Sequence, residues 1–475
     1  MSGFRWTGDE VERALETGSG GCGPTEFTAV STDTRKIAPG SLFVALKGAS
    51  FDAHDFLAQA FESGAAAAVV SHIPDTAPRD RCYYVVGDTL HALGKLGRHR
   101  RRALAAKVVA VAGSNGKTTT KDLLRAALSP RYRVHATDAN YNNQVGVPLT
   151  LLAAPDDAEV LVVETGTNEP GEIELLGAIV EPDVAVITSI GEEHLEGLGS
   201  VEGVLEEEIA ILRHLRPGGV AVVAEEPSEL PERAGEIVGG MRMRVAGMDE
   251  AADLRPDGGA EGIEVLPGGA TRWSLRGTRI DLPLPGLHNV RNALVALGVS
   301  TELGVPLADS AEAIARMPAP KMRSEWRRVG TLQVLADCYN ANPPSTRAAI
   351  ELLASLPAAG EKVAVIGTMR ELGAHAEGLH REVGALAVAK LGNGIDRLVA
   401  TGDFVPALGD AAGDARVIAA EDPLQAYEAL RPHLGGGETI LLKGSRGVAL
   451  ERLIPLLERD FAGEGAPAHT VHAGG

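Results

Sequence analysis

The chain has 475 residues, which is enough for two to four domains with substantial hydrophobic cores. Hydrophobic residues make up 44% of the sequence and aromatic residues only 4%, a balance typical of an α/β protein rich in Ala, Val and Leu. The formal net charge of −19 argues against nonspecific binding to nucleic acid or to an anionic membrane. Any anionic substrate must therefore be held by local Lys and Arg side chains and by helix N-termini.

The cysteines and the N-terminal residues indicate the cellular compartment. Cys22, Cys82 and Cys338 are too few and too scattered to predict a disulfide framework or a zinc site. The N-terminal segment lacks the apolar core of a signal peptide, and no apolar run is long enough to span a bilayer. We therefore expect a cytoplasmic protein.

Residues 1–103 are predicted to form a first domain. Strands are expected at 41–46 and 65–71, with a helix over 56–64. The basic run 98–102 is expected at a solvated helix end near a domain boundary. Four polar residues fall at strand ends, where they are either ordinary loop residues or contacts for a ligand phosphate or sugar: Asp33, Thr34, Arg35 and Lys47.

The second predicted domain, residues 104–315, begins with a phosphate-binding pattern. A buried parallel strand is expected at 108–112, and a helix follows the turn. The turn and the start of the helix consist of Gly113, Ser114, Asn115, Gly116, Lys117, Thr118 and Thr119. In such a layout, backbone N–H groups face the phosphates, Lys117 reaches the β- and γ-phosphates, and the Thr118 hydroxyl binds Mg²⁺. The pattern predicts ATP binding, and the alternative is a tight strand–helix turn with a surface lysine.

Two further residues are expected at the same edge of this sheet. Glu164 ends a strand predicted at 160–163, beside the strand of the phosphate loop, where a carboxylate is placed to hold Mg²⁺. His194 follows a strand predicted at 183–188. Alone it would be an ordinary loop histidine, but next to the predicted metal site we favour a role in metal binding.

The helix after His194 contains an unexpected carboxylate. An apolar stripe with helical periodicity is formed by Val201, Val204, Leu205, Ile209, Leu212 and Leu215. At about 100° per residue, Glu208 falls near the middle of this stripe, whereas Glu206 and Glu207 point away from it. An inward carboxylate is costly unless a partner satisfies it, and a bound cation would do so. The alternative is a helix end at which Glu208 reaches water.

Clustered amides are the other polar feature of this domain. Asn140, Asn142 and Asn143 suit hydrogen bonding to a neutral polar ligand, although Asn-rich turns are common without any function. Asn289 and Asn292, three residues apart, lie on one face of a predicted helix, where amides can contact a purine edge. Residues 225–285 are rich in Gly, Pro and Asp, and they predict surface hairpins without chemistry.

The third predicted domain, residues 316–461, is a second doubly wound sheet. Its strands are expected at 332–336, 362–366, 397–400 and 438–442. Polar residues at the strand ends are predicted to line the edge that faces the ATP domain: Asp337, Tyr339, Asn340, Lys443, Ser445 and Arg446. Residues 462–475 are expected to be a disordered tail. The predicted fold class is α/β with three domains, a central P-loop doubly wound sheet and a C-terminal Rossmann-like sheet.

These motifs together resemble the Mur ligase family of peptidoglycan synthesis. Residues 113–119 are similar to the short phosphate loop of that family, and 33–35 are similar to its nucleotide-sugar motif, with Thr in the usual place of Ser. Residues 288–292 are similar to its adenine-side helix. The resemblance covers nearly the whole chain outside 225–280 and the tail.

The resemblance implies roles for individual residues. It places the muramoyl substrate at Asn140, Asn142 and Asn143, and the phosphate and ribose of ATP at Arg323 and Asp337. The resemblance also implies that Glu164 and His194 hold magnesium. With the residues singled out above, the predicted metal ligands are Thr118, Glu164, His194 and Glu208, and the predicted catalytic residues are Lys117, Glu164, His194 and Glu208.

Within the family, the third domain resembles the branch that adds D-alanyl-D-alanine to UDP-N-acetylmuramoyl-tripeptide. The similarity lies in residues 337–343, 367–373, 380–384 and 443–446, and the Asp-Asn-Pro-Arg motif of the diaminopimelate-adding branch is absent. This resemblance implies an ATP- and Mg²⁺-dependent ligase that forms an acyl phosphate. It also implies a third domain that closes onto the ATP domain. The expected partners are the small molecules D-alanyl-D-alanine and UDP-N-acetylmuramoyl-tripeptide, and no nucleic acid is expected to bind. We expect the protein to be a monomer.

One position departs from the family pattern. The family usually has a lysine on the helix after the histidine, and that lysine is carbamylated by CO₂ to become a carboxylate near the second Mg²⁺. Counted without gaps, this position is Glu208. We hypothesise that Glu208 supplies the negative charge directly, without carbamylation.

Three alternatives to this function remain at the level of sequence. The first is another ligase of the superfamily, of the diaminopimelate-adding or folylpolyglutamate type. The second is a P-loop nucleotide switch, although the sequence has no Asn-Lys-x-Asp guanine motif. The third is a non-catalytic relative that has lost its metal lysine and keeps only UDP-sugar binding.

Overall fold

The computed structural model describes residues 5–17, 25–48, 50–318 and 320–461, so the predicted tail lies outside the described residues. These residues form two compact units. The first contains the described residues up to Ile190, together with Leu205–Arg255 and Leu294–Ala313. The second contains Gly191–Val204, Pro256–Ala293 and the described residues from Ile314 onward. The first unit includes the sheets of both the first and the second predicted domains, and the division into three domains stays a prediction.

The N-terminal part of the first unit is built around a four-stranded parallel sheet in the order β3-β4-β5-β6. The strands of this part are β1 (Trp6–Thr7), β2 (Glu26–Phe27), β3 (Ala29–Ser31), β4 (Ser41–Val44), β5 (Ala65–Val70) and β6 (Cys82–Val85). Its α-helices are α1 (Gly8–Leu15), α2 (Leu57–Glu62) and α3 (Thr89–Ala103). The two strands and the helix predicted here are confirmed, since continuous runs of Ala, Val and Phe bury both faces of a parallel sheet.

The basic run at the end of α3 is not solvated throughout, so this part of the prediction is wrong. Arg101 is only 1% exposed; its Nε donates to the carbonyl of Val180 at 2.8 Å, and its Nη2 lies 2.9 Å from Asp183 Oδ2. Arg100, also buried, donates to the carbonyl of Ala154. The planar guanidinium can satisfy several acceptors at once, and here it ties α3 to the neighbouring sheet.

That neighbouring sheet has six parallel strands in the order β12-β11-β10-β7-β9-β8. Its strands are β7 (Lys107–Ala112), β8 (Val134–Ala136), β9 (Val160–Glu164), β10 (Val184–Ile187), β11 (Val220–Ala224) and β12 (Arg242–Ala246). The helices of this stretch are α4 (Lys117–Leu128), α5 (Gly146–Leu152), α6 (Glu172–Val180), α7 (Leu195–Leu198), α8 (Val201–Ile209) and α9 (Leu230–Val238). β7 pairs with β9, as the sequence predicts, and with β10 on its other side.

The prediction of hairpins throughout 225–285 is only partly correct. α9 and β12 fall in this range, and β12 extends the parallel sheet. Two consecutive hairpins do follow, forming a three-stranded antiparallel sheet of β13 (Glu264–Val265), β14 (Thr271–Leu275) and β15 (Thr278–Leu282). The next helices are α10 (Leu287–Glu302) and α11 (Leu307–Ala315).

The second unit contains the other six-stranded sheet, in the order β16-β17-β21-β18-β19-β20, in which only β16 is antiparallel to its neighbour. Its strands are β16 (Glu325–Val329), β17 (Leu332–Asp337), β18 (Lys362–Ile366), β19 (Arg397–Thr401), β20 (Val417–Ala420) and β21 (Thr439–Lys443). Its helices are α12 (Pro343–Ser355), α13 (Ala376–Ala389), α14 (Phe404–Ala407), α15 (Pro423–Leu430) and α16 (Leu453–Phe461). The four predicted strands and the α/β class are confirmed.

Two smaller findings bear on the sequence predictions. Cys82 is disulfide-bonded, which the small number and wide spacing of the cysteines did not predict. Cys338 is buried and free, and burial raises the pKa of its thiol to about 12. Among the described residues, no helix combines the length and the apolar character needed to cross a membrane.

Candidate active site

The phosphate loop connects β7 to α4, and its shape requires glycine at both ends. Gly113 has φ +117°, and a Cβ there would lie 2.8 Å from the amide nitrogen of Thr188. Gly116 has φ +87° and is the N-cap of α4. The Ser114 amide donates to the carbonyl of Ser189 at 2.6 Å. The loop is therefore fixed by its own contacts and leads directly into the N-terminus of α4, an arrangement that commonly binds phosphate.

Lys117 and Glu208 meet beneath this loop. Glu208 is 1% exposed, so its predicted inward orientation is confirmed and the alternative in which it reaches water is excluded. Its Oε2 accepts the Gly113 N–H at 2.7 Å, and its Oε1 lies 3.9 Å from Lys117 Nζ. The ammonium of Lys117 also donates to the carbonyls of Gly113 and Ser114. A buried carboxylate thus supports the loop and partly neutralises its lysine.

Thr118 and Glu164 form the part of the site that best fits a cation. Thr118 Oγ1 donates to Glu164 Oε1 at 3.1 Å, and Asn142 Nδ2 donates to the same oxygen at 3.0 Å. Glu164 is 2% exposed, and its Oε2 is buried and accepts no hydrogen bond from the described residues. Lys121 Nζ lies 4.0 Å from Oε2. A hydroxyl beside an unsatisfied carboxylate oxygen is the ligand chemistry that Mg²⁺ prefers.

The described part of the chain contains no group of three or more His, Cys, Asp or Glu side chains placed to hold a metal ion. Because Mg²⁺ keeps several waters and binds substrate phosphates, one hydroxyl and one carboxylate from the protein suffice for it. His194 belongs to the second unit, where its Nδ1 lies 2.6 Å from Glu371 Oε2 and its Nε2 lies 3.6 Å from Glu193 Oε1. Its metal role stays a prediction.

The three asparagines of the cluster make different contacts: Asn142 bonds a carboxylate, whereas Asn140 and Asn143 bond the backbone. Asn142 contacts Glu164, as described, and a Cβ on Gly166 would lie 2.8 Å from its side-chain nitrogen. Asn143 Oδ1 accepts the amides of Val145 and Gly146 and so caps the start of α5. Asn140 contributes its carbonyl to the Asn142 amide, which closes the turn. Substrate binding by these residues stays a prediction.

Glu207 was expected to point away from the protein interior, and this is wrong. It is 8% exposed, and its carboxylate accepts the amides of Gly171 and Ile173, both at 2.7 Å. These amides lie at the start of α6, where a negative charge is favourable. Glu206 does lie at the surface side of the helix and pairs with Arg233.

In the N-terminal part of the first unit, the predicted nucleotide-sugar motif forms a closed ion pair. Asp33 Oδ1 accepts both the backbone amide and the Nε of Arg35, and Oδ2 accepts Nη2 at 2.8 Å. The adjacent guanidinium lowers the pKa of Asp33 to about 2. Thr34 opens the short 3₁₀ turn that Asp33 caps. Lys47, largely exposed, lies 3.6 Å from Asp52.

The predicted adenine-side residues lie at the start of α10 in the second unit. Asn292 Nδ2 donates to Asn289 Oδ1 at 3.2 Å, and Asn289 Nδ2 donates to the carbonyl of Pro285. Both side chains are buried. The hydrogen bond between them confirms that the two amides share one face of the helix, but it also occupies one polar group of each. Burial lowers the pKa of His288 to about 4, which keeps its imidazole neutral at physiological pH.

The polar strand ends of the second sheet are brought together around Asp337. Its Oδ2 lies 2.9 Å from Lys443 Nζ, and Lys443, which is 2% exposed, also donates to the carbonyl of Asn340. The guanidinium of Arg323 stacks 4.3 Å from the ring centre of Tyr339.

The remaining two predicted residues follow β21. Ser445 is buried, donates to the carbonyl of Ala341 and accepts the Arg370 amide. Arg446 pairs with Glu451 at the surface. Lys443 and Ser445 therefore hold the loops of this edge in place, whereas Arg323, Tyr339 and Arg446 are the residues that extend from it.

Sequence reasoning missed several residues of this site. Lys121, Ser189 and Glu371 contact predicted site residues, but the sequence assigned no site role to any of them, although Glu371 lies within the segment 367–373. Lys121 could have been found from helical spacing, since it lies three residues after Thr118 on α4. Glu371 could not, because its contact with His194 joins segments that are distant in sequence.

The first six-stranded sheet, with its glycine loop, Lys117 and adjacent Glu164, defines a P-loop protein of the nucleotide-binding class. Family models identify it further. The model described as "Mur ligase family, catalytic domain" matches residues 26–134, "Mur ligase middle domain" matches 111–300, and "Mur ligase, glutamate ligase domain" matches 322–446. The chain belongs to the Mur ligase family, which excludes the nucleotide-switch alternative.

Individual relatives place the chain within that family. It is 36% identical over 438 residues to the UDP-N-acetylmuramoyl-tripeptide–D-alanyl-D-alanine ligase of Bacillus subtilis, covering 90% of this chain and 93% of the relative. The crystal structure of MurF from Acinetobacter baumannii superposes with a TM-score of 0.86 at 32% identity, covering 96% and 99% of the two chains. MurF from Thermotoga maritima in complex with ADP superposes with a TM-score of 0.79 at 27% identity, covering 91% and 98%.

Proposed function

We propose that the chain is the ATP-dependent ligase that joins D-alanyl-D-alanine to UDP-N-acetylmuramoyl-tripeptide in the synthesis of peptidoglycan precursors. The observation that carries this proposal is the match, along nine-tenths of the chain, to the B. subtilis ligase of that name. The resemblance of 337–343, 367–373 and 443–446 to the same branch supports it from the residues themselves.

The reaction consists of two displacements that balance. The terminal carboxylate of the tripeptide attacks the γ-phosphorus of ATP, so that ADP leaves and an acyl phosphate forms. The amine of D-alanyl-D-alanine then attacks the acyl carbon, inorganic phosphate leaves, and the amine loses a proton to solvent. Both steps bring anions together, so the main task of the protein is to neutralise charge and to position the reactants.

Within the phosphate loop, each residue has a distinct task. The N–H groups at the start of α4 face the phosphates, and Lys117, held near them by two loop carbonyls, can turn to the β- and γ-phosphate oxygens. Glu208 keeps the loop in the shape that presents these groups. When bound, Mg²⁺ would neutralise the phosphates, with Thr118 and Glu164 as its protein ligands.

Our proposal also includes the predicted roles of Glu208 and His194 in metal binding. The burial of the Glu208 carboxylate, 3.9 Å from the Lys117 ammonium, supports our hypothesis that Glu208 supplies a negative charge directly, at the position where the family resemblance implies a lysine. Binding of substrate by Asp33, Thr34, Arg35 and Lys47 also forms part of this proposal, as do a monomeric state and action in the cytoplasm, where ATP is available.

The alternatives differ in the product they form. Full-length protein would be incubated with ATP, Mg²⁺ and UDP-N-acetylmuramoyl-tripeptide, and in separate reactions D-alanyl-D-alanine, diaminopimelate or glutamate would be added as the amine. A parallel set of reactions would contain UDP-N-acetylmuramoyl-L-alanyl-D-glutamate, the acceptor in the name of the diaminopimelate-adding ligase, in place of the tripeptide precursor. Mass spectrometry should find a product only with D-alanyl-D-alanine, heavier than the tripeptide precursor by the dipeptide minus one water. A product with another amine would assign a different ligase, and binding of the UDP-sugar without any product would favour the non-catalytic relative.

A further inference from the structure

The segment Gly191–Val204, here called the strap, leaves the first unit and returns to it. The chain belongs to the first unit up to Ile190 and again from Leu205, whereas the strap itself belongs to the second unit. It contains α7 and the beginning of α8. Among its residues the sequence assigned a binding role only to His194, and it assigned no role to the contacts that hold the strap in place.

Both ends of the strap continue into residues that bond the phosphate loop. Just before the strap, the carbonyl of Ser189 accepts the Ser114 N–H at 2.6 Å, and the Ser189 hydroxyl donates to the carbonyl of Asn115 at 3.3 Å. Just after it, the Glu208 carboxylate accepts the Gly113 N–H at 2.7 Å. The strap is therefore a covalent connection that begins and ends at contacts with the phosphate loop and has its body in the second unit.

Arg347 of α12 holds the first part of the strap. Its Nη2 lies 3.0 and 2.9 Å from the two carboxylate oxygens of Glu192, and its Nη1 donates to Glu382 Oε1 of α13 at 3.0 Å. The side chains of Arg347 and Glu192 are 28% and 23% exposed, so solvent screens their attraction only in part. Because a planar guanidinium can bond two carboxylates at once, Arg347 ties the strap to two helices of the second unit.

Hydrogen bonds fix the strap at two further points. Asn340 Nδ2 donates to Glu193 Oε1 at 3.3 Å, one residue beyond the carboxylate that Arg347 holds. Near the other end of α7, His375 Nε2 lies 3.2 Å from the carbonyl of Gly199. A carbonyl only accepts hydrogen bonds, so this nitrogen of His375 is the donor. The strap is thus held on both sides of α7.

The contact between Glu371 and the strap includes unusual backbone conformations. Glu371 Oε2 lies 2.6 Å from His194 Nδ1, and its carbonyl accepts the Glu196 amide at 3.2 Å. Glu371 has φ +64° and His194 has φ +52°. Such left-handed conformations are costly for residues other than glycine, and they persist only where the surroundings determine them strongly. The strap is therefore held in one defined conformation.

We propose that Arg347 is a positioning residue that holds the strap through Glu192, and that the strap transmits nucleotide binding at the phosphate loop to the second unit. Arg347 acts through Glu192 and not on a reactant. Because the strap is continuous with the residues that bond the loop, a change in the loop is passed along the chain itself. This inference deepens the proposed ligase function, on which its kinetic part rests.

The first test measures hydrogen–deuterium exchange by mass spectrometry, with and without Mg²⁺ and adenylyl imidodiphosphate, a non-hydrolysable analogue of ATP. The proteins are the wild type and the variants Arg347→Gln and Glu192→Gln. The matched control is Glu382→Gln, which removes the other partner of the same guanidinium and leaves the contact with the strap in place.

In the wild type, we expect the analogue to slow exchange by about threefold or more in the phosphate loop, in the strap and in α12. In Arg347→Gln and Glu192→Gln, the phosphate loop should respond as in the wild type, because it binds the nucleotide without this ion pair. The response of α12 should be lost in both variants. Glu382→Gln should respond as the wild type in all three segments.

The second test measures the kinetics of dipeptide-dependent phosphate release. Arg347→Gln and Glu192→Gln should each lower kcat by about tenfold, the size expected for the loss of one charge-assisted contact, with the KM for the UDP-substrate unchanged. The double variant should be no slower than either single variant, because all three lose the same contact. Arg347→Lys keeps the charge with fewer donors and should recover part of kcat.

The proposal is overturned if α12 does not respond to the nucleotide in the wild type, or if it responds equally in the wild type and in Arg347→Gln. It is also overturned if Glu382→Gln abolishes the response as completely, or if the losses in kcat add in the double variant. Failure of the ligase function would look different, because the wild type would then show no dipeptide-dependent turnover, while the exchange experiment requires only that the nucleotide binds. The response of the phosphate loop shows that each variant is folded.

Discussion

Replacing Glu208 tests the most unusual residue of the phosphate site. Its carboxylate is buried, accepts the Gly113 N–H at 2.7 Å and lies 3.9 Å from Lys117 Nζ. Glu208→Ala would leave the Gly113 amide without its acceptor, at a cost of about 1–3 kcal/mol. It would also remove a carboxylate that lies 3.9 Å from the ammonium of Lys117, whose side chain is only 11% exposed.

Lys117 keeps its bonds to two loop carbonyls, so the loss should lie near the lower end of the range of about 3–5 kcal/mol for a broken buried pair. We therefore expect kcat/KM for ATP to fall by about 10²-fold in Glu208→Ala. Glu208→Gln keeps an acceptor for the Gly113 N–H but removes the charge, and it should lose about tenfold. The matched control is Glu206→Ala on the same helix, which removes only a partly exposed ion pair with Arg233.

The assay is steady-state phosphate release at varied ATP and Mg²⁺ concentrations in buffer depleted of CO₂, with and without added bicarbonate. The wild type should be active in both, because its carboxylate is permanent. Glu208→Lys restores the lysine usual in the family and should become dependent on bicarbonate. The reasoning is refuted if Glu208→Ala keeps the wild-type ATP and Mg²⁺ dependence, or if the wild type itself requires bicarbonate.

Three further perturbations have defined outcomes. Gly113→Ala should weaken nucleotide binding by at least about 10²-fold in calorimetry, because its Cβ would lie 2.8 Å from the Thr188 amide nitrogen at a φ of +117°; binding at wild-type affinity would contradict the loop geometry. Glu207→Ala removes the cap of α6 and should lower the free energy of unfolding in urea by about 2 kcal/mol while sparing kcat, and an unchanged midpoint would count against the cap. Burial lowers the pKa of His288 from 6.5 to about 4, so the unfolded chain binds the extra proton and stability falls as the pH drops through this window. His288→Gln should flatten that slope in melting curves taken between pH 7 and pH 4, and an identical slope would refute it.

The strands β7, β9, β10, β17, β18, β19 and β21 could be predicted because parallel strands buried on two faces leave continuous apolar runs, as in β7 and β18. β12 was missed because it begins Arg-Met-Arg and is only partly buried, so its sequence resembles that of a surface hairpin. The buried Arg100 and Arg101 were missed for a different reason. Their carbonyl partners lie 54 and 79 residues away along the chain, and no local pattern reveals such contacts.

In the candidate site, too, some residues could be predicted from local sequence, whereas others depend on contacts with distant segments. The glycine loop, Lys117, Thr118 and Glu164 could be predicted because their spacing and their strand ends fix where they lie. The helical wheel correctly turned Glu208 inward but placed Glu207 in solvent, since a wheel gives the direction of a side chain and not the neighbouring segment that covers it. That Lys443 is buried against Asp337 follows from the packing of β17 on β21, which the sequence does not specify.

Release of phosphate from ATP in the presence of UDP-N-acetylmuramoyl-tripeptide, with and without D-alanyl-D-alanine, tests the central claim most directly. The account predicts steady turnover only when the dipeptide is present, with one phosphate released for each amide bond formed. Phosphate release that is indifferent to the dipeptide, or absent under both conditions while ATP still binds, would contradict it.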